Sequence, residues 1–409
     1  ERRGSRLRLP LPPRWRPPAL ATRARNVAPL LGALVMRALE KDPAARPQSA
    51  AELVAALDAI RAAPATRETT TDNAIAVLPF VNMSNDPEAD YFSDGVTDEI
   101  IGTLARVKGL RVIGRASSFA LKGKGLDLRT IGERLGVARV VEGTVRRAGN
   151  RVRISAELVD VSDGFQRWSD RFDRDLADVF AVQDEIAQAI ARALHVTTAS
   201  VEDVRRMAHP EAYELYLKGM YEHWNRGLVP GRMMKAVEYL EASAALDPTF
   251  APVHSALGSA LYSLSIYSVK RAANVAPTAL GHARRAIALD PTDASAHAVF
   301  GYVAFNYAWD WESALVHMDR ALSLAPNDSF VLNRSAFLQL GLGRLDLAFT
   351  LAERSLTADP ISAYAHLLAA LVLVIGGDAR RGIEVAEAGC RMHAEHRDLK
   401  RMLGLAYMY

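Results

Sequence analysis

The chain has 409 residues, half of them apolar, with 50 Lys plus Arg against 47 Asp plus Glu and one cysteine, Cys390. A single cysteine excludes a disulfide framework and any multi-cysteine zinc or iron–sulfur site, and a net charge of +3 gives no electrostatic reason to expect nucleic acid. The longest apolar run, Leu367–Ile375, is about half a membrane span, no secretory pattern opens the chain, and the length fits roughly two to four domains of a cytoplasmic protein.

The first 25 residues carry eight Arg, one acid and Pro at 10, 12, 13, 17 and 18. Such a stretch cannot bury enough to fold, so 1–25 reads as a disordered stub or an out-of-frame translation. The chain opens on Glu1 and its first Met is Met36, so the natural start is expected upstream. From Val27 the spacing of Leu30, Leu31, Leu34, Val35 and Leu39 predicts a helix that Asp42-Pro43 stops. Ser49 then caps a second helix with Glu52 three residues on, a capping box, ahead of a stripe of Leu53, Val54, Leu57 and Ile60. The segment LVMRALEKDPAARPQSAAELVAAL (34–57) resembles the last two C-lobe helices of bacterial Ser/Thr protein kinases, through its K-D-P-x-x-R-P core, Lys41 to Pro47. The resemblance makes 26–62 an all-α kinase C-lobe remnant with Asp42 and Arg46 in structural roles, Arg46 being the position that pairs with a buried Glu of the A-P-E segment. That Glu, the Gly-rich loop, the strand Lys, H-R-D and D-F-G are missing from this chain. Phosphoryl transfer needs those parts, so no catalytic residue is assigned. ATP and Mg²⁺ belong to a full-length parent, and the missing kinase lobe is an expected partner.

Residues 63–73 form a polar linker. A strand at Ala74–Phe80, a helix at Asp94–Val107 with Asp98 and Glu99 in its first turn, a strand at Leu110–Ile113 and a helix at Leu128–Leu135 follow. The clearest local signal is a hairpin pairing Val145 with Ile154, Gly143 with Ala156 and Val141 with Leu158. This puts the apolar residues on one face and leaves Gly149-Asn150 as a two-residue type II′ turn. After RWSDRFDRDLADVF a last helix covers 177–194. The loop Leu121–Leu126 reads as a plain turn rather than a phosphate cradle. The cluster Arg146, Arg147, Arg151 and Arg153 reads as a solvated basic edge rather than a phosphate grip. From IAVLPFVNMS to RWSDRFDR the segment resembles the TolB N-terminal-like (FlgO-like) domain, which implies an α+β fold over 74–200 and offers no catalytic residues.

The motifs ALDP at 245–248 and 288–291, LAPN at 324–327 and TADP at 357–360 mark an internal repeat. Pro291, Pro326 and Pro360 are 35 and 34 residues apart, close to the 34-residue tetratricopeptide (TPR) period; Pro248 to Pro291 is longer by nine, which predicts an extended loop around Ile266–Ala276. Each unit carries a small–large seam (Leu257-Gly258, Phe300-Gly301) and a second helix expected to begin at Ala236, Ala279, Ala314 and Ala348. The array, 208–409, resembles a TPR solenoid of four repeats, a degenerate fifth from Ile361 and half a sixth. The resemblance implies binding of a protein or peptide along the first-helix face. Repeat position places Tyr262, Tyr302, Asn306, Asn333 and Phe337 there, with packing between repeats as the other reading of Tyr302 and Phe337. Trp309 and Trp311 read as core or loop anchors, and His393 and His396 share a helix face without a metal-ligating partner.

The expected whole is a multi-domain chain: a truncated all-α kinase C-lobe remnant, an α+β middle domain and an all-α TPR solenoid. Its expected function is the non-catalytic regulatory or scaffolding part of a bacterial signalling protein. A truncated Ser/Thr kinase, or an adenylate-cyclase-type or winged-helix regulator sharing these modules, are the alternatives.

Overall fold

The computed structural model describes residues 73–84, 86, 89–107, 109–194, 209–224 and 229–408, together with 34, 35, 37–40, 42, 44, 46–54 and 57. The stub 1–25, the linker up to residue 72, and Leu30, Leu31 and Ile60 of the first two expected helices lie outside the described residues. The chain divides into two compact units, Glu1–Thr70 and Thr71–Tyr409.

In the first unit Asp42 Oδ1 accepts from the Ala44 N–H at 2.9 Å, and Arg46, exposed, donates from Nε to the Glu40 carbonyl at 2.6 Å. Ser49 Oγ accepts from the Glu52 N–H at 3.1 Å, as a capping box requires. The Glu52 carboxylate returns to the Gln48 N–H at 2.8 Å, one residue before Ser49.

The second unit opens with a mixed sheet of six strands. These are β1 (Ala74–Val77), β2 (Val81–Asn82), β3 (Arg111–Val112), β4 (Arg139–Ala148), β5 (Arg151–Asp160) and β6 (Gln166–Asp175). Their order is β3-β1-β4-β5-β6, with β2 beside β4; β1 runs parallel to β3 and β4, and β4, β5 and β6 are antiparallel. The hairpin register is the one read from the sequence: Val145 faces Ile154, Gly143 faces Ala156 and Val141 faces Leu158. Gly149 has φ +59° while Asn150 is not left-handed, which is the type II′ pattern. Gly143 is required by close approach, since a Cβ there would lie 2.3 Å from the Ser155 carbonyl and 2.8 Å from the Phe80 ring. The strand β6, which the sequence reading passed over, adds a third antiparallel strand. Alternating Arg and Asp mask it from a hydrophobicity pattern, yet Phe172 still points inward.

Among the described residues four helices flank the sheet: α1 (Asp90–Ala105), α2 (Arg115–Phe119), α3 (Leu128–Leu135) and α4 (Val179–Ala193). One face buries Phe92, Val96, Ile100 and Ile186 against Val141, Ile154 and Leu158; the other buries Ile113, Ile131 and Leu135 against Val140 and Val159. The helix α3 is bounded by an Asp127 side chain that accepts from the Thr130 N–H and by Gly136 at φ +64°, so its ends match the sequence reading. By contrast α1 begins four residues before the expected Asp94, which places Asp98 and Glu99 inside the helix rather than in its first turn.

Among the described residues eleven helices follow: α5 (Pro210–Trp224), α6 (Pro230–Leu246), α7 (Ala251–Ile266), α8 (Ala272–Leu289), α9 (Ala294–Val303, extended by a π turn over Ala304–Ala308), α10 (Trp311–Leu324), α11 (Ser329–Gly341), α12 (Leu345–Ala358), α13 (Ala363–Ile375), α14 (Ala379–Met392) and α15 (Arg397–Ala406). They stack as antiparallel pairs, α5 with α6 through α13 with α14, and α15 covers the last pair. Side chains of Asp293, Asp310, Asp328, Ser362 and Asp378 cap helix N-termini. The seam is the expected one: Cβ atoms built on Gly219, Gly258 and Gly301 would lie 3.2, 3.1 and 3.0 Å from the carbonyls of Ala236, Ala279 and Ala314. Two expectations are corrected. Ala236, Ala279, Ala314 and Ala348 lie within the second helices, fully buried, rather than at their starts. The long repeat spends most of its extra residues on helices of 16 and 18 residues, against 13 and 14 in α11 and α12, and only Tyr267–Arg271 joins them. No helix among the described residues is long and apolar enough to cross a membrane.

Candidate functional site

First helices of successive pairs touch one another, α7 with α9, α9 with α11 and α11 with α13, while among the described residues second helices make no comparable contact. The first helices therefore line the inner face. An aromatic strip runs along it. Tyr262 of α7 meets Tyr302 of α9 edge-on with ring centroids 5.8 Å apart, and Tyr302 meets Phe337 of α11 at 5.9 Å. The Arg334 guanidinium lies 5.2 Å over Tyr302 and 3.3 Å over Phe330. Ser259, Tyr262, Ser263, Ile266, Val299, Tyr302, Val303 and Arg334 line a cleft of about 10 Å³, room for one water. Burial pushes the Tyr262 and Tyr302 phenols above their ordinary range.

Of the five residues expected on this face, Tyr262, Tyr302 and Phe337 come together. They are also the packing between repeats, so the two readings of Tyr302 and Phe337 describe the same rings. Asn333 is 3% exposed, beside Tyr262 at 8% and Tyr302 at 9%, and its Oδ1 accepts from Ser355 Oγ at 2.7 Å, which ties α11 to α12. Asn306 donates to the Tyr302 carbonyl at 2.8 Å, satisfying backbone in the π turn. Trp309 is corrected; it is 73% exposed at φ +57°, its ring 6.3 Å from that of Trp311. Arg334 was missed, although it sits three residues before Phe337 and so on the same side of the helix.

The array meets the α/β domain at two places of different chemistry. Between α1 and α5 the joint is apolar at its centre: Phe92, Tyr213 and Leu217 belong to one continuous buried cluster, and Gly95 makes room for Leu217. Polar bonds ring it. Tyr216 donates to Glu99 at 2.8 Å, Tyr91 to Glu214 at 2.8 Å and Arg147 to Glu214 at 2.9 Å. Burial pulls the Glu214 carboxyl up, but hydrogen bonds from Lys218, Tyr91 and Arg147 outweigh it and hold the group at about 2. The hairpin arginines are thus partly spoken for, since Arg153 also pairs with Asp173 at 2.7 Å. Lys122 of the Leu121–Leu126 turn reaches Asp94 at 2.6 Å.

The second joint is polar. Gly114 N–H donates to the Ala358 carbonyl at 2.8 Å, Ser117 N–H to Asp359 Oδ1 at 2.7 Å, and Ile361 N–H to Ser117 Oγ at 2.8 Å. Ser329 Oγ donates to Asp359 Oδ2 at 3.2 Å. Burial drives the Asp359 carboxyl up to about 6 against these donors. Beside it Arg115 pairs with Asp98 at 3.4 Å and stacks on Phe119 at 3.9 Å and Trp224 at 5.4 Å.

Histidines bridge two helix pairs. His254 and His282 approach through Nδ1 atoms 3.0 Å apart, and His297 and His317 through Nδ1 atoms 2.8 Å apart. Nε2 of His254 and of His297 lies 3.0 and 3.2 Å from the Pro248 and Pro291 carbonyls. A carbonyl can only accept, so each Nε2 carries the proton and each facing Nδ1 accepts from the second ring. His393 bonds the Ile361 carbonyl through Nε2 and His396 caps α15. Among the described residues no three His, Cys, Asp or Glu side chains converge as a metal site would need.

The model of the HilA/YgeH-like transcriptional regulator second domain matches residues 71–189. "Putative adenylate cyclase 3" of Rhizobium meliloti (strain 1021) is 45% identical over 187 residues, which cover 45% of this chain and 32% of that protein. The match thus spans about a third of the relative's length. A thermophilic TPR protein of Thermus thermophilus superposes with a TM-score of 0.41 at 15% identity, covering 48% of this chain and 100% of that one. The TPR protein YrrB, described as having an unusual peptide-binding site, superposes with a TM-score of 0.31 at 16% identity, covering 48% and 91%.

Proposed function

We propose that this chain is the non-catalytic regulatory part of a bacterial cytoplasmic signalling protein, holding a protein or peptide segment along the inner face of its TPR-like array. The observation that carries the reading is the strip of Tyr262, Tyr302 and Phe337 flanked by Arg334. Aromatic faces beside a guanidinium suit an extended segment carrying apolar and acidic side chains. The TolB-like α/β domain, fixed to the array at two joints, would pass occupancy of that face to a catalytic domain. The Lys41–Pro47 resemblance favours a Ser/Thr kinase as that domain, which would bring ATP and Mg²⁺. A second reading, an adenylate-cyclase-type parent, is favoured by the 45% identity over 187 residues to a protein named for that activity. The test is deletion of 208–409 from the parent: catalytic output should change, and unchanged output contradicts the regulatory reading.

A further inference from the structure

The strand β6 ends the sheet, and among the described residues no strand lies on its outer edge. From Trp168 to Asp175 its register against β5 is unbroken. The direction of its backbone groups follows from the ladders. Leu78 and Met83 donate to the carbonyls of Val141 and Val145, so those β4 residues face away from β5, and Leu176 N–H donates to the Asn150 carbonyl. Both observations set the same alternation: Asp170, Phe172 and Arg174 bond to β5, while the N–H and C=O groups of Ser169, Arg171, Asp173 and Asp175 point outward. The Arg171 N–H, turned outward, is held at 2.7 Å by Asp170 Oδ1 of its own strand. Among the described residues the other outward donors and acceptors have no neighbouring strand, and such an edge is a template for another strand.

The charges choose which strand. Asp170, Arg171, Phe172, Asp173 and Arg174 read negative, positive, neutral, negative, positive. Turned antiparallel about Phe172, this sequence complements itself: Asp170 falls opposite Arg174, and Arg171 opposite Asp173. In that register Arg171 and Asp173 of the two copies are the residues whose outward groups exchange backbone hydrogen bonds, the Arg171 N–H passing from Asp170 Oδ1 to the Asp173 carbonyl of the other copy, so charge and backbone agree. A slip of one residue sets Asp170 against Asp173 or Arg171 against Arg174, and like charges facing across a ladder oppose pairing. A twofold axis repeats every favourable pair. We propose that two copies of this chain join through the outer edges of β6, with Phe172 at the twofold axis of one continuous antiparallel sheet.

The test is sedimentation equilibrium of the full chain up to about 100 µM, with circular dichroism as the folding control. Asp170→Arg sets Arg opposite Arg174 twice. Arg171→Pro removes an outward N–H without touching the β5 ladder. Each should raise the dimer dissociation constant about tenfold or more, and Asp170→Arg/Arg174→Glu, which restores opposite charges, should recover most of that loss. Three results overturn the proposal: a wild-type chain monomeric throughout, a dimer indifferent to both single substitutions, or an edge that captures a different protein while the chain stays monomeric.

Discussion

Ser117 of α2 and Asp359 at the end of α12, 242 residues apart, complete one turn motif between them. In two equivalent loops the motif is local: Asp247 Oδ1 accepts from the N–H and hydroxyl of Thr249 at 3.0 and 2.7 Å, and Asp290 Oδ1 from those of Thr292 at 2.8 and 2.6 Å. In the fourth repeat Ile361 stands where the Thr would be. The middle domain supplies the missing hydroxyl residue: Ser117 gives its N–H to Asp359 and takes the Ile361 N–H on its Oγ. A loop that elsewhere closes on itself here closes on another domain.

Removing the Ser117 hydroxyl leaves the half-buried Ile361 N–H without its acceptor, so Ser117→Ala should cost about 1 kcal/mol in urea unfolding. Asp359→Ala should cost about as much, and the double variant should fall short of the sum by at least roughly 0.5 kcal/mol. Thr292→Ala, a local break, should add to either loss without coupling.

The same carboxyl predicts a pH signature. Asp359, raised by burial to about 6, binds its proton more tightly folded than unfolded. Its contribution is fully present below about pH 3.9 and is lost as pH rises through about 6. Asp359→Asn keeps an acceptor and drops the charge. Its stability relative to wild type should therefore grow between pH 5 and 7, by roughly 1–2 kcal/mol, and a difference that shrinks over that window contradicts the assignment.

The histidine pairs give the opposite slope. Burial lowers His254, His282, His297 and His317, with help from the partner ring at His282 and His317 and from Arg285, Arg320 and Arg284 near His254, His297 and His317, against Asp247, Asp290 and Asp310. Their stabilisation is present above about pH 6.5 and is lost as pH falls through the lowered values. Thermal melts should show wild type losing stability from pH 7 to 5, and His282→Phe/His317→Phe losing less.

At the centre of the sheet, Gly143→Ala puts a methyl 2.3 Å from the Ser155 carbonyl and against Phe80. The backbone has to move, and chemical denaturation should register a loss of about 2 kcal/mol or more.

Much of this fold was legible because its signals are local or periodic. The β4–β5 register followed from one apolar face, and the helix pairs from recurring prolines and small residues. What escaped depends on partners distant in sequence. The edge strand β6 shows charge where a buried strand would show Val and Ile. The Ser117–Asp359 joint left one trace in the sequence, Ile361 in place of a threonine, which has meaning once the other loops are seen. Arg334 was within reach, three residues from Phe337 on the same helix face.

The most direct test of the account is a photo-crosslinking residue placed at Ile266, on the inner face, and at Glu238, exposed on α6 away from it, in the full chain expressed in its own host. The account predicts a discrete protein partner captured from Ile266 and not from Glu238, and lost when Arg334→Glu reverses the charge beside Tyr302. The same proteins captured from both positions, or capture from Ile266 indifferent to Arg334→Glu, would contradict it.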